Sequence, residues 1–138
     1  MIYFAHMKIF NIVLRVILAL LLVSPILGTL GVFPAPTPDL YNTPQAFDFI
    51  MVLYSTKYIM YIQAIVFAVS IGLILTNRMA LASLLILPVT VNIICFHAFL
   101  DGGLFTAGAS MADALFLLNI YFLWQNRHVY KTLYTKPA

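Results

Sequence analysis

Charge is what this sequence has least of. Only 8% of its 138 residues are Asp, Glu, Lys or Arg, and 64% are apolar; a soluble domain carries roughly 25% charged residues. That excludes an ordinary water-soluble fold, and the apolar excess also excludes an intrinsically disordered chain. Acids are scarcest, four against seven Lys and Arg. The seven are scattered and form no basic stripe that could track a nucleic acid. The single cysteine, Cys95, cannot close an intrachain disulfide, and no Cys/His cluster suggests a metal. No phosphate loop, nucleophile motif or Cys-x-x-Cys is present, so no residue is assigned a catalytic role. What remains is one domain of an integral membrane protein, with the lipid bilayer as its first partner.

A bilayer core of roughly 30 Å needs about 20 apolar residues in a helix. Four stretches meet that need: about Ile9 to Leu30, Tyr58 to Thr76, Met79 to Leu100 and Leu104 to Gln125. None alternates polar with apolar residues as a barrel strand would, and open strands cannot span lipid. Lys8 before an apolar run resembles the start of a secretory signal, but the run exceeds the usual core of about 7–15 residues. A span is therefore expected there, and Met7 is a second candidate start. With the amino terminus inside, Lys8, Arg78, Arg127, Lys131 and Lys136 fall on the inner side, and Asp39, Asp48, Asp101 and Lys57 on the outer side. The excess of cations on one side places both termini in the cytoplasm. The expectation is an all-α, polytopic membrane four-helix bundle.

The connections are uneven. Thr76-Asn77-Arg78 predicts a tight inner turn, and Gly102-Gly103 a tight outer turn at a helix end that needs positive φ. Residues 31–57 form a much longer outer loop. Its proline-rich part, Pro34 to Pro38, should be extended. Thr43-Pro44 has the pattern of an N-cap followed by proline at the first helical position, which predicts a short extra helix from Pro44 to about Tyr54.

Polar side chains within apolar spans are costly and tend to face the bundle interior. At about 1.5 Å per residue, Arg15 lies roughly 9 Å above the inner end of the first span. Asn119 lies roughly 22 Å below the outer end of the fourth, at a similar height, and Asn11 is one turn below Arg15. These three can form an inner polar cluster; alternatively Arg15 snorkels to the headgroups and Asn119 bonds a backbone carbonyl. In the outer half, Gln63, Asn92 and Asp113 sit at comparable depth, His97 is shallower, and Asp101 stands one turn beyond it at the mouth. Thr106, Ser110 and Asp113 share a helical face among the small residues Ala107, Gly108, Ala109 and Ala112. Pro88 frees a carbonyl near Leu84. Together Gln63, Asn92, His97, Asp101 and Asp113 can line a polar pocket in which a histidine can exchange protons. The structural alternative is a helix-end pair of His97 with Asp101 and an interhelical hydrogen-bonding Asp113. Trp124, Tyr121 and Tyr130 at one end and Tyr54 and Tyr58 at the other read as interfacial anchors, and Cys95 as a packing residue.

The run from Pro88 to Asp101, PVTVNIICFHAFLD, resembles a segment of the DoxX-like membrane proteins, as does the Gly72-to-Arg78 ending GLILTNR. The order of an early arginine, a proline-containing loop, four spans and a basic tail is similar too. The resemblance implies a four-helix bundle in the bacterial inner membrane. The family takes its name from a subunit associated with thiosulfate:quinone oxidoreductase, and most members have no established activity. Members often carry an acid one turn before the glycine of the second span; here that position is Ala68.

Three functions follow as expectations. The first is an accessory or quinone-facing subunit of a membrane oxidoreductase assembly. It would have no stand-alone activity, since the chain carries no redox centre of its own. In it Asn92, His97 and Asp113 would position a quinone head group, and Arg15 would organise the inner end. The second is a small carrier or permeation protein for a proton or weak acid, working as a homo-oligomer. The third is a structural membrane protein whose polar groups only specify packing.

Overall fold

The computed structural model describes residues 2–134, with side-chain surroundings from Lys8 to Leu133. Lys136, expected on the inner side, lies outside the described residues. Among those residues the chain is helical throughout, with no strand. The helices are α1 (Ile2–Thr29), α2 (Pro44–Thr56), α3 (Tyr58–Leu75), α4 (Met79–Phe99), α5 (Ser110–Gln125) and α6 (Arg127–Tyr134), with a 3₁₀ turn at Pro38–Leu40. Three segments are long and apolar enough to cross a membrane: Lys8–Thr29, Tyr58–Leu75 and Met79–Phe99.

Local chemistry sets the boundaries. Thr43 caps α2, its Oγ1 accepting the Ala46 N–H at 3.1 Å, with Pro44 in the first turn. Lys57, at φ 58°, breaks the chain between α2 and α3. The turn between α3 and α4 passes through Asn77 at φ 61°, a left-handed position that asparagine tolerates. α4 ends where Gly102 (φ 81°) lets the Gly103 N–H reach back to the His97 carbonyl at 2.9 Å, closing the last turn. One boundary differs from expectation. The fourth helix starts at Ser110, not near Leu104, because residues 104–109 fold as successive turns, with Thr106 Oγ1 accepting the Ala109 N–H.

α1 packs on α3, α3 on α4, α4 on α5, and α5 back on α1, a closed circuit of contacts. α2 lies against α3, and α6 returns to α4 through the Tyr130 hydroxyl, which donates to the Ala80 carbonyl at 2.8 Å. Leu18, Leu22, Phe67, Ile86 and Phe122 fill the centre, while Leu20, Ile65, Leu75 and Leu117 point outward. The interior also buries Ser70, Ser83, Thr90 and Asn119. Polar groups within and apolar ones without is the distribution a lipid surround selects.

The two ends differ in charge. Arg15, Asn77 and Arg78 share one end with Lys8 and Arg127, the basic end; Asp39, Asp48 and Asp101 lie at the other, the acidic end. α5 joins the two, with Gly108 beside Asp101 just before it and Gln125 bonded to Asn11 at its close.

Candidate functional site

At the acidic end the long loop folds over the end of α4. Asp101 is 1% exposed. Its Oδ1 accepts the Asn42 backbone N–H at 2.8 Å and its Oδ2 meets His97 Nδ1 at 2.9 Å. The Asn42 side-chain amide donates to the Asp101 carbonyl at 3.0 Å, and the Thr43 hydroxyl donates to the Leu100 carbonyl. Gly108 completes the cover: a Cβ there would stand 3.7 Å from Asp101 Oδ2. A buried carboxylate needs such donors, since an unpaired charge in this setting would cost several kcal/mol, on the order of 3–5. Tyr41 in the same loop feels the consequence. Burial, and then the Asp101 charge, raises its phenol above the ordinary value of 10.0.

Asp101 thereby becomes a positioning group. It was expected at the mouth of a pocket, but the loop backbone covers it, and it acts through His97. Holding Nδ1 fixes the imidazole ring and leaves Nε2 with no hydrogen-bond partner among the described residues.

His97 faces an open cavity of about 350 Å³ lined by residues of α1 to α5. Its walls are apolar and aromatic, with Phe49 and Phe96 stacked at 5.9 Å and Tyr41 edge-on to Phe96 at 6.5 Å. Gln63 and Asn92 also line it, and neither side chain has a hydrogen-bond partner among the described residues. Three of the five expected outer-half residues, Gln63, Asn92 and His97, therefore share one cavity, with Asp101 behind it. Asp113 is not brought in. Ala112, one residue earlier on α5, takes the lining position, and Asp113 is half-buried elsewhere on the helix. Among the described residues no group of three His, Cys, Asp or Glu side chains could hold a metal.

The expected inner cluster does not assemble. Asn119 is fully buried and clasps α5 to α4, its Oδ1 accepting from Thr90 at 3.0 Å and its Nδ2 donating to the Ser83 carbonyl at 2.8 Å. That carbonyl lies one residue from the Leu84 carbonyl that Pro88 frees. Asn11 accepts from Tyr121 and Gln125, both at 2.8 Å, clasping α1 to α5. Arg15 donates from Nη1 to Asn77 in the α3–α4 turn. The reason is direction. The Arg15 side chain reaches to the α3–α4 turn, Asn119 turns to α4, and Asn11 turns to the last turns of α5, so residues at neighbouring heights face different partners. Cys95 is exposed on α4 and is not a packing residue.

Asn42, Tyr41 and Phe49 were not foreseen as parts of the site. The Thr43 cap, which fixes where α2 begins, is the local signal for where the loop lands. No protein-family model, no curated protein and no solved structure matches the chain.

Proposed function

We propose that the protein is a multi-pass membrane protein whose acidic-end cavity binds the ring of a quinone-like amphiphile, with His97 as the hydrogen-bonding and proton-accepting group. The observation that carries this reading is His97 itself, oriented through Nδ1 by a buried carboxylate and facing a cavity that also holds two unpartnered amides. Aromatic walls suit a planar ring, and donors at Gln63 and Asn92 suit its carbonyl or hydroxyl oxygens. In the neutral ring, Asp101 accepts the Nδ1 proton, so Nε2 is the basic nitrogen and can take a proton from a bound hydroxyl.

α5 rises about 24 Å over its 16 residues. It joins the two ends beside α4, and we take it as the fourth span. On that reading the cations at the basic end support a cytoplasmic position for both termini, with the cavity in the outer half of a bacterial inner membrane. In that role the protein is an accessory, DoxX-like subunit, with electrons supplied by an oxidoreductase partner. Its outward apolar faces offer such a partner, or a second copy, a surface to dock on. The permeation reading is less favoured because Leu18, Leu22, Phe67, Ile86 and Phe122 fill the bundle below the cavity.

Equilibrium titration of the purified protein in detergent with a short-chain quinone tests the reading. Saturable binding that falls about tenfold in His97→Ala is expected, since a hydrogen bond of this kind is worth about 1.4 kcal/mol. Equal binding by wild type and variant would remove the role given to His97.

A further inference from the structure

A second cavity, of about 390 Å³, lies between α1 and α3 at the basic end, separate from the one beside His97. Ile12, Val16, Leu20 and Val23 form its α1 wall, and Ile71 and Leu75 face them from α3. It is an apolar groove in every respect but one: Arg15 and Asn77 close its end.

Arg15 is electrostatically incomplete. Among the described residues its one hydrogen-bond partner is the neutral amide of Asn77, and its Nε is buried with no partner. No carboxylate among the described residues neutralises it, because all four Asp side chains lie toward the opposite end. Its neighbours add to the same sign, with Arg78 following Asn77 and Lys8 two turns down α1. An uncompensated guanidinium beside an apolar surface is costly, and the fork of N–H groups that it carries suits a phosphate, the anion that a bilayer surface supplies.

Depth completes the argument. The α3–α4 turn marks where two helices leave the apolar layer, and Asn77 in that turn is bonded to Arg15. Arg15 therefore stands at headgroup level, and the groove runs from it toward Val23, about 12 Å into the apolar layer. A cation at the interface with an apolar channel running inward from it is the shape of a phospholipid: headgroup at one end, acyl chain along the other.

We propose that the α1–α3 groove is a specific site for one phospholipid with an anionic head group, its phosphate on Arg15 and Asn77 and one acyl chain along Val16, Leu20 and Val23. The site is independent of the cavity beside His97. Bound there, the lipid neutralises Arg15 and fills the seam between α1 and α3.

Native mass spectrometry of the purified full chain, with phosphatidylglycerol or phosphatidylcholine of identical acyl chains, tests this. One retained phosphatidylglycerol per chain is expected, favoured at least fivefold over phosphatidylcholine. Arg15→Gln should lower that retention at least fivefold, and Val16→Trp, which crowds the groove from an exposed position without changing charge, should lower it too. Arg127→Gln removes the same charge from another helix and should leave it unchanged. Equal retention of the two lipids, an unaffected Arg15→Gln variant, or an equal loss in Arg127→Gln would each overturn the proposal. If Arg15→Gln does not fold, Val16→Trp decides: undiminished retention in that variant overturns the site.

Discussion

At the acidic end a carboxylate, Asp101, is 1% exposed and receives two donors, a loop amide and an imidazole. At the basic end a guanidinium, Arg15, meets one neutral side chain among the described residues and keeps Nε without a partner there. The difference lies in the connections. Fourteen residues separate α1 from α2 (30–43), and that length lets a loop fold back over the end of α4 and bring Asn42 to Asp101. The α3–α4 connection spans only Thr76 to Arg78 and can offer Arg15 nothing beyond Asn77. A long loop can satisfy a buried charge internally; a tight turn leaves the charge to be satisfied by something else.

Breaking the acidic end should have the largest effect. Asp101→Ala removes the acceptor of the Asn42 N–H and the partner of His97, and should destabilise the protein by about 3 kcal/mol. Thermal unfolding in detergent measures it, and faster proteolysis within residues 31–43 should accompany it. Asn119→Ala, between the two ends, should cost about 1–2 kcal/mol by the same assay, because interhelical hydrogen bonds in membrane proteins are individually modest. Arg15→Met should cost under about 1 kcal/mol in lipid-free detergent, since the charge it removes has no counter-ion to lose. A penalty for Arg15→Met equal to that for Asp101→Ala would erase the contrast between the ends.

The smallest effect is alkaline. Folding raises the Tyr41 pKa above 10.0, through burial first and Asp101 second. Below that pH the phenol is protonated in both states and contributes no pH dependence. As pH rises past it the unfolded chain releases the proton first, so stability falls until the folded pKa is passed. Tyr41→Phe should flatten that decline in unfolding temperatures measured across the alkaline range and leave neutral pH unaffected.

Much of the helical framework was legible because its signals are local. Thr43-Pro44 marked the start of α2, Gly102-Gly103 the end of α4, and Thr76-Asn77-Arg78 the turn before it. The failures all involve contacts across sequence. Nothing near Asn42 announces that it will meet a residue 59 positions away. Counting residues puts Arg15 and Asn119 at one height, but height does not record which way a side chain turns, and the two find partners in the α3–α4 turn and on α4. The fourth helix was begun too early for a related reason. Leu104 and Phe105 are apolar, yet Phe105 is fully exposed in a turn whose shape is set by covering Asp101. Gln63, Asn92 and Asp113 share a depth and His97 lies nearer the mouth, yet Gln63, Asn92 and His97 line one cavity and Asp113 does not, because depth does not record which way a helix face turns.

The most direct test of the account is a photoreactive quinone analogue irradiated with the purified protein, followed by peptide mapping of the attached label. Labelling of the Asn92–His97 segment of α4 and the Phe49–Leu53 segment of α2, suppressed by excess unlabelled quinone and lost in His97→Ala, is the predicted result. Label spread over the outward faces of α1 and α3, or unaffected by competitor and by His97→Ala, would contradict a quinone site in the acidic-end cavity.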